Sequence, residues 1–239
     1  MRSSAACETA VASPAALMPP DGGTKSFLIL RHGETSWNRE CRIMGTESVA
    51  LSEAGRAQCA MAARLLSNFS IDTIVSSPLL RARESADLIA DSLGVEVRED
   101  GDLEEVRFGG WQGMTYEEVM RDPAYAAYAA DPCGVPTPGG ETILDVQARG
   151  LRALSRATAD RRTLFVSHGD IIRSVMCHYL AIPAADYRRI RIDNCGLSGV
   201  DDHGATTEVK FVNTLADPER VWEPLHWGPS KWGVEAKMP

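Results

Sequence analysis

The sequence is poor in lysine: Lys25, Lys210, Lys231 and Lys237 are the only four among 25 basic residues. Acidic residues number 33, for a formal net charge of −8. A field of that sign repels nucleic acid and anionic lipid, so neither is expected as a partner, and any bound anion must be held by cations gathered locally. Long apolar runs are missing as well. No stretch approaches the roughly 18 consecutive apolar residues of a membrane span. The alanines of residues 1–24 are interrupted by Glu8, Thr9, Ser13 and Pro14, which denies them the hydrophobic stretch of a secretory signal. The six cysteines (Cys7, Cys41, Cys59, Cys133, Cys177, Cys195) lie far apart, without a C-x-x-C pair or zinc-ligand spacing. They read as thiols of a reducing, cytoplasmic compartment rather than as a disulfide framework. Internal repeats and low-complexity blocks are also lacking.

What is present is a chain of 239 residues, 44% hydrophobic and 24% charged, which suits a folded domain with a sizeable core. Its other basic residues are arginines, suited to bidentate contact with phosphate or carboxylate, although genomic base composition produces the same bias. Short β-branched apolar runs alternate with segments of helical spacing, the pattern of βα units around a largely parallel sheet. Strands are predicted at 26–30, 71–77, 95–98, 163–168, 195–201 and 206–213. Between them, Ser52 is placed to N-cap a helix with Ala54, Ala57, Met61 and Leu65 on one face. Ser77-Pro78 is placed to cap a second helix, which Gly94 closes after Leu93. Further helices are predicted over 141–159, on the spacing of Ile143, Val146, Leu151 and Leu154, and over 170–181. Residues 107–140, rich in Gly, Pro, Tyr and Ala, fit neither pattern and read as an insertion over one sheet edge. A domain at 25–215 is thus flanked by a loosely packed tail, 1–24, and by 216–239. In that last segment Trp222, Trp227 and Trp232 among Pro and Gly point to a strap anchored on the domain.

Two of the five histidines, His32 and His168, follow predicted buried strands, in Arg31-His32-Gly33-Glu34-Thr35 and Ser167-His168-Gly169-Asp170. Residues at the carboxyl ends of parallel strands line the ligand crevice of an open sheet, which brings both imidazoles to one pocket. The glycine after each lets a ligand approach the backbone and frees the next amides for an anion, so Gly169 joins the candidate binding groups. Arg31 adjoins His32, and Arg81 falls in the first turn of the second helix, at its positive end. Two guanidiniums and two imidazoles around one crevice match the spread charge of a phosphoryl group, which they stabilise without requiring a metal. Taken alone, Arg81 reads as a solvated helix arginine or a partner of Glu84, and neighbouring Arg83 keeps that reading.

The motifs RHGETSWN (31–38), ALSEAGRAQ (50–58), SSPLLRARESA (76–86), LEEVRFGGWQG (103–113) and SHGDIIR (167–173) resemble, in order, those of the histidine phosphatase superfamily, also called phosphoglycerate mutase-like. The resemblance implies an α/β fold, a three-layer α/β/α sandwich with a six-stranded, mostly parallel sheet. It also implies a phosphohistidine mechanism with no metal or other cofactor. Carried over by motif, His32 is the nucleophile, Arg31, Arg81 and His168 bind the phosphoryl group, and Asn38 supports its oxygens. Thr35, in the same motif, is a further candidate binding residue, and Glu105 is the proton donor. Glu104 competes for that last role, separated from Glu105 only by spacing to Phe108-Gly109. Glu34 reads as a pocket residue or, more simply, as a turn carboxylate. His168 is expected to be cationic, held so by the phosphate it contacts.

Residues 107–119 resemble the F-G-x-W-E-G-x-T segment of phosphatase members, with Gln112 at the usual glutamate position. Mutase members carry a His-Tyr-Gly stretch and a longer insertion with paired arginines, whereas this insertion offers Arg121 beyond Arg107. PTPGGET (136–142) resembles the helix start of small-molecule phosphatases, where Glu141 is expected to reach the site. The expectation is a monomeric or homodimeric hydrolase of a small phosphomonoester: a sugar phosphate, a phosphoglycerate derivative or a nucleotide-like ester. Protein phosphatase members also exist. Met114, Tyr116, Tyr125 and Tyr128 either contact the leaving group or pack the insertion onto the core. The alternatives are a cofactor-dependent phosphoglycerate mutase, a non-catalytic phosphate-binding module, and a metal hydrolase using His32, His168, Asp170 and Glu34, which the flanking arginines disfavour.

Overall fold

The computed structural model describes residues 23–159 and 161–217. In chain order the regular elements are β1 (Lys25–Arg31), α1 (Ser36–Arg39), α2 (Glu53–Leu66), β2 (Thr73–Ser76), α3 (Leu80–Leu93) and β3 (Val97–Glu99). They continue with α4 (Tyr116–Arg121), α5 (Tyr125–Ala130), α6 (Ile143–Ser155), β4 (Thr163–Ser167), α7 (Gly169–Tyr179), β5 (Leu197–Asp202) and β6 (Thr207–Thr214). The strands form one sheet in the order β3-β2-β4-β1-β5-β6. The first four of that row run parallel, while β5 is antiparallel to β1 and β6 to β5.

The unbroken apolar run of β1 explains the layering. Successive strand side chains point to opposite faces, so Phe27 and Ile29 enter one core and Leu28 and Leu30 the other. A strand apolar on both faces has to be covered twice. Here α6 and α7 supply the first cover and α2 and α3 the second, which makes an α/β fold of three layers.

Several local expectations shift. Ser52 does cap α2, accepting the Gly55 N–H at 3.0 Å. The buried face, however, is Gly55, Cys59, Ala62, Ala63 and Leu66, and Met61 is exposed. The inner stripe is thus lined mostly by small side chains, one position round from the expected one. Gly94 closes α3 at φ 69°, a left-handed conformation suited to glycine. Ser77 is not its N-cap: the helix starts at Leu80, and the Leu79 cap position has no side-chain bond. The insertion contains α4 and α5, helices short enough for their Pro and Gly neighbours to mask. Its backbone is bonded to residues 41–43, just beyond α1. Ile43 N–H donates to Met114 O, Gly113 N–H to Ile43 O, and Tyr116 N–H to Cys41 O, at 2.8, 2.8 and 2.9 Å. The expected tryptophan strap, and all but the last two residues of the expected N-terminal tail, lie outside the described residues. No described helix is long and apolar enough to cross a membrane.

Candidate active site

Parallel register assembles the site. Arg31 lies opposite Ser167 and Ser76 opposite Val166. The next backbone bonds run from His32 N–H to Ser167 O at 3.0 Å and from Ser77 N–H to Val166 O at 2.9 Å. Three strand ends therefore deliver His32, Ser77 and His168 side by side, with the imidazole centroids 5.1 Å apart.

His32 is buried, and its Nδ1 lies 2.7 Å from the Gly33 carbonyl oxygen. A carbonyl only accepts, so Nδ1 carries the proton and Nε2 the lone pair. That lone pair faces the Arg81 Nε–H at 3.3 Å. Burial, Arg81 and Arg31 hold the His32 pKa well below 6.5, which keeps the ring neutral. Arg81 is fully buried, with Nη1 and Nη2 donating to Glu47 O and Gly45 O at 3.0 and 2.8 Å. Burial brings its own pKa down to about 10, still charged at neutral pH. The competing surface reading fails for this residue, because Glu84 pairs with Arg56 instead. It holds for Arg83, which pairs outside with Asp87 and Glu99. Arg31, also buried, donates from Nη1 to Ile192 O at 2.8 Å.

His168 places Nε2 2.7 Å from Ser77 Oγ, and its buried Nδ1 has no hydrogen-bond partner among the described residues. Burial, then Arg81 and His32, drive its pKa well below 6.5. Its resting state is therefore neutral, and the expected cation requires an anion alongside. Glu105 leans onto the N-terminus of α7, accepting from Asp170 N–H at 3.3 Å and Ile171 N–H at 3.4 Å, and from Val106 N–H at 3.0 Å. Burial and the Asp170 carboxylate nevertheless push its pKa up. Glu104 instead turns to Arg107, 3.9 Å away. The geometry thus separates the two glutamates, which spacing alone could not do securely.

Asn38 and Thr35 interlock. Thr35 caps α1, and Asn38 Oδ1 accepts from Thr35 N–H and Oγ1–H at 3.0 and 3.1 Å. Gly169 opens α7, where an added Cβ would stand 3.2 Å from Arg173 Nη1 and 3.6 Å from the Arg31 guanidinium carbon. Glu141 does not reach the histidines. Its carboxylate is held by Arg149 Nε and Nη2 at 3.1 and 3.0 Å and by Arg107 N–H at 3.0 Å. Arg149, buried on α6, also donates to the carbonyls of Asp102, Glu104 and Glu105. Glu141 therefore fixes the segment carrying Glu105 from behind. Glu34 is a turn carboxylate, accepting from Ser52 Oγ at 2.9 Å. Asp170 pairs with Arg173 at 2.5 Å. Among the described residues, His32, His168, Asp170 and Glu34 do not form a cluster that could hold a metal ion.

Of the insertion aromatics, Tyr128 packs inward, edge-on to Trp111 at 5.4 Å and with its hydroxyl 3.2 Å from that of Tyr187. Tyr116 lies toward the site, where burial and the Asp170 carboxylate raise its pKa. Sequence reasoning missed Ser77 as a histidine partner, Arg149, and Asn194, whose Nδ2 donates to His32 O at 3.1 Å and lies 3.4 Å from Asn38 Oδ1. These are long-range contacts with no local signature.

A parallel sheet end in an α/β domain thus gathers two imidazoles, two buried guanidiniums and a carboxyl of raised pKa, a set of charges that suits a tetrahedral anion. The particular family follows from sequence: residues 27–215 match the histidine phosphatase superfamily (branch 1), and the chain belongs to it. It is 35% identical over 215 residues to phosphoglycerate mutase-like protein 4 of Arabidopsis thaliana, covering 87% of this chain and 84% of that one. It is 29% identical over 228 residues to glucosyl-3-phosphoglycerate phosphatase of Mycobacterium tuberculosis, covering 90% and 96%. The solved structure of mycobacterial glucosyl-3-phosphoglycerate phosphatase with VO3 superimposes with a TM-score of 0.72 at 30% identity, over 80% of this chain and 99% of that one.

Proposed function

We propose that this protein is a metal-independent phosphomonoesterase that hydrolyses a small phosphorylated metabolite through a phosphohistidine on His32. The observation that carries the reading is the His32 ring: buried, neutral, its proton committed to Gly33 O and its Nε2 lone pair directed at Arg81. Nε2 attacks phosphorus in line while Arg31, Arg81 and His168 draw charge from the phosphoryl oxygens. A phosphoryl oxygen would also satisfy His168 Nδ1. Glu105, whose pKa burial and the Asp170 carboxylate raise, gives its proton to the leaving oxygen. Water then attacks the phosphohistidine with Glu105 as base. Hydrolysis rather than phosphoryl return is supported by the phosphatases among its relatives and by an insertion without paired arginines. The similar mycobacterial protein is named for a phosphoglycerate ester, a substrate of the same chemical class.

His32→Ala should abolish hydrolysis of p-nitrophenyl phosphate while thermal unfolding stays cooperative; retained turnover removes the nucleophile assignment. Activity that disappears with a chelator and returns with zinc or manganese would defeat the metal-free reading. A phosphomonoester panel compared by kcat/KM should include 3-phosphoglycerate with and without its bisphosphate. Isomerisation there would make the protein a mutase, and no turnover of any ester would make it a binding module.

A further inference from the structure

Two thiols lie directly behind the His32 loop. Cys59, in α2, and Cys195, in the turn before β5, are 136 residues apart in sequence, yet their Sγ atoms stand 3.7 Å apart and both side chains are buried. They grip the same short backbone. Cys195 N–H donates to Arg31 O at 3.0 Å and to His32 O at 3.3 Å. A Cβ built on Gly33 would meet Cys59 Sγ at 2.9 Å.

We propose that Cys59 and Cys195 form a disulfide when the protein meets a hydroperoxide, and that this bond lowers activity by displacing the Arg31–Gly33 backbone. The chemistry balances with the peroxide as two-electron oxidant. Cys59 releases its proton, its thiolate attacks one peroxide oxygen, the O–O bond breaks, and the leaving hydroxide takes up that proton, so that a sulfenic acid and water form. The Cys195 sulfur then attacks the sulfenic sulfur, forming the S–S bond and releasing a second water. In sum, two thiols and one hydrogen peroxide give one disulfide and two waters. Hydrogen bonds from Cys195 and Ser85 and at the Gly33 backbone favour the thiolate at Cys59.

A disulfide holds its sulfurs about 2.05 Å apart, well inside the 3.7 Å of the thiol pair. Closing that gap draws α2 and the turn before β5 toward each other, and both of them contact the His32 loop. Tolerance for such a shift is small. The same Cβ on Gly33 would stand 2.6 Å from Gly55 O, so the loop runs close against α2 at this glycine. The functional half of the proposal rests on the phosphatase reading, whereas the bond itself does not.

The test treats the full chain with hydrogen peroxide, maps its peptides without reduction, and follows p-nitrophenyl phosphate turnover before and after a dithiol reductant. The expected result is a linked Cys59–Cys195 peptide that reductant dissolves, with activity several-fold down and then restored. Cys59→Ser and Cys195→Ser should each lose the linked peptide and keep a constant ratio of treated to untreated activity. Both cysteines unlinked in peroxide-treated wild type would overturn the disulfide, and that map needs no variant to fold. A linked peptide with unchanged turnover, or wild-type sensitivity in Cys59→Ser, would overturn the switch. Untreated protein inactive on every ester would strike the phosphatase reading, while the map would still decide the bond.

Discussion

At His32 and Glu105 the same burial moves the pKa in opposite directions. Removing water disfavours the charged form of each, so it lowers the histidine and raises the glutamate. The same burial thus favours a nucleophile without its proton beside an acid that keeps its own to higher pH. The sign of the pH dependence follows. As pH falls, His32 stays neutral well below 6.5, and as pH rises, the proton on Glu105 survives past the usual carboxylate range before it is lost. The kcat/KM profile should therefore hold on the acid side and decline on the alkaline side through the raised Glu105 pKa. Glu105→Gln should remove that alkaline decline and slow esters of poor leaving groups by about 100-fold or more, the usual scale of general acid catalysis. p-Nitrophenyl phosphate, whose leaving group needs little protonation, should suffer much less. An equal loss for both classes of ester, measured by kcat/KM, would take the acid role away from Glu105.

At the scale of elements, the site is held by segments that never touch a ligand. Arg149 on α6 binds three carbonyls of residues 102–105 and is neutralised by Glu141 in a buried pair. Removing one partner of such a pair leaves an uncompensated charge and costs about 3–5 kcal/mol. Glu141→Ala should lower Tm accordingly and reduce kcat for poor leaving groups with little change in KM; a rise in KM alone would return Glu141 to direct substrate contact. Gln112 works from the insertion. Its Oε1 accepts from Thr46 N–H and its Nε2 donates to Glu47 Oε1, fixing the loop whose carbonyls hold Arg81. Gln112→Glu sets two carboxylates together. Because this contact is exposed, the effect should stay near 1 kcal/mol, a rise in KM of about fivefold at most. Glu47→Gln in the same chain should reverse it, and a KM that does not move would detach this loop from Arg81. These supports also mark how far the sequence could be read. A histidine and a glycine after an apolar run are local facts, so His32, His168 and the central strands were legible. Ser77 before Pro78 looks the same whether it caps a helix or faces a histidine, and only the register of β2 against β4 decides. The contacts of Arg149, Asn194 and the Cys59 and Cys195 pair join residues too distant in sequence to leave any periodic trace.

Over the whole molecule, the net charge of −8 is a weak, salt-screened field, and the decisive electrostatics are buried. His32 and His168 are both neutral in the fold, with pKa values well below 6.5. In the unfolded chain each takes a proton near pH 6.5. The folded state thus binds fewer protons below that pH, so the stability these rings contribute is complete above it and lost as pH falls toward their folded pKa values. The slope is at most about 1.4 kcal/mol per pH unit for each ring. Glu105 works the other way: its raised pKa contributes stability at low pH that is lost as pH rises through the folded value, so it offsets part of the acid loss. With two rings set against one carboxyl, the histidines decide the sign, and stability falls as pH falls. Urea unfolding between about pH 7 and 5.5, a window set by the free histidine pKa, should show that decline, and His168→Gln should flatten it. Sulfate, a tetrahedral dianion throughout this range, should flatten it in wild type as well, because an anion beside His168 raises the folded pKa of that ring. In His168→Gln the effect of sulfate on the slope should shrink to the part carried by His32, beside its general salting effect. A wild-type profile that is already flat, or a slope unchanged by His168→Gln, would mean that His168 is not held neutral, and the anion-dependent protonation proposed for catalysis would fail with it.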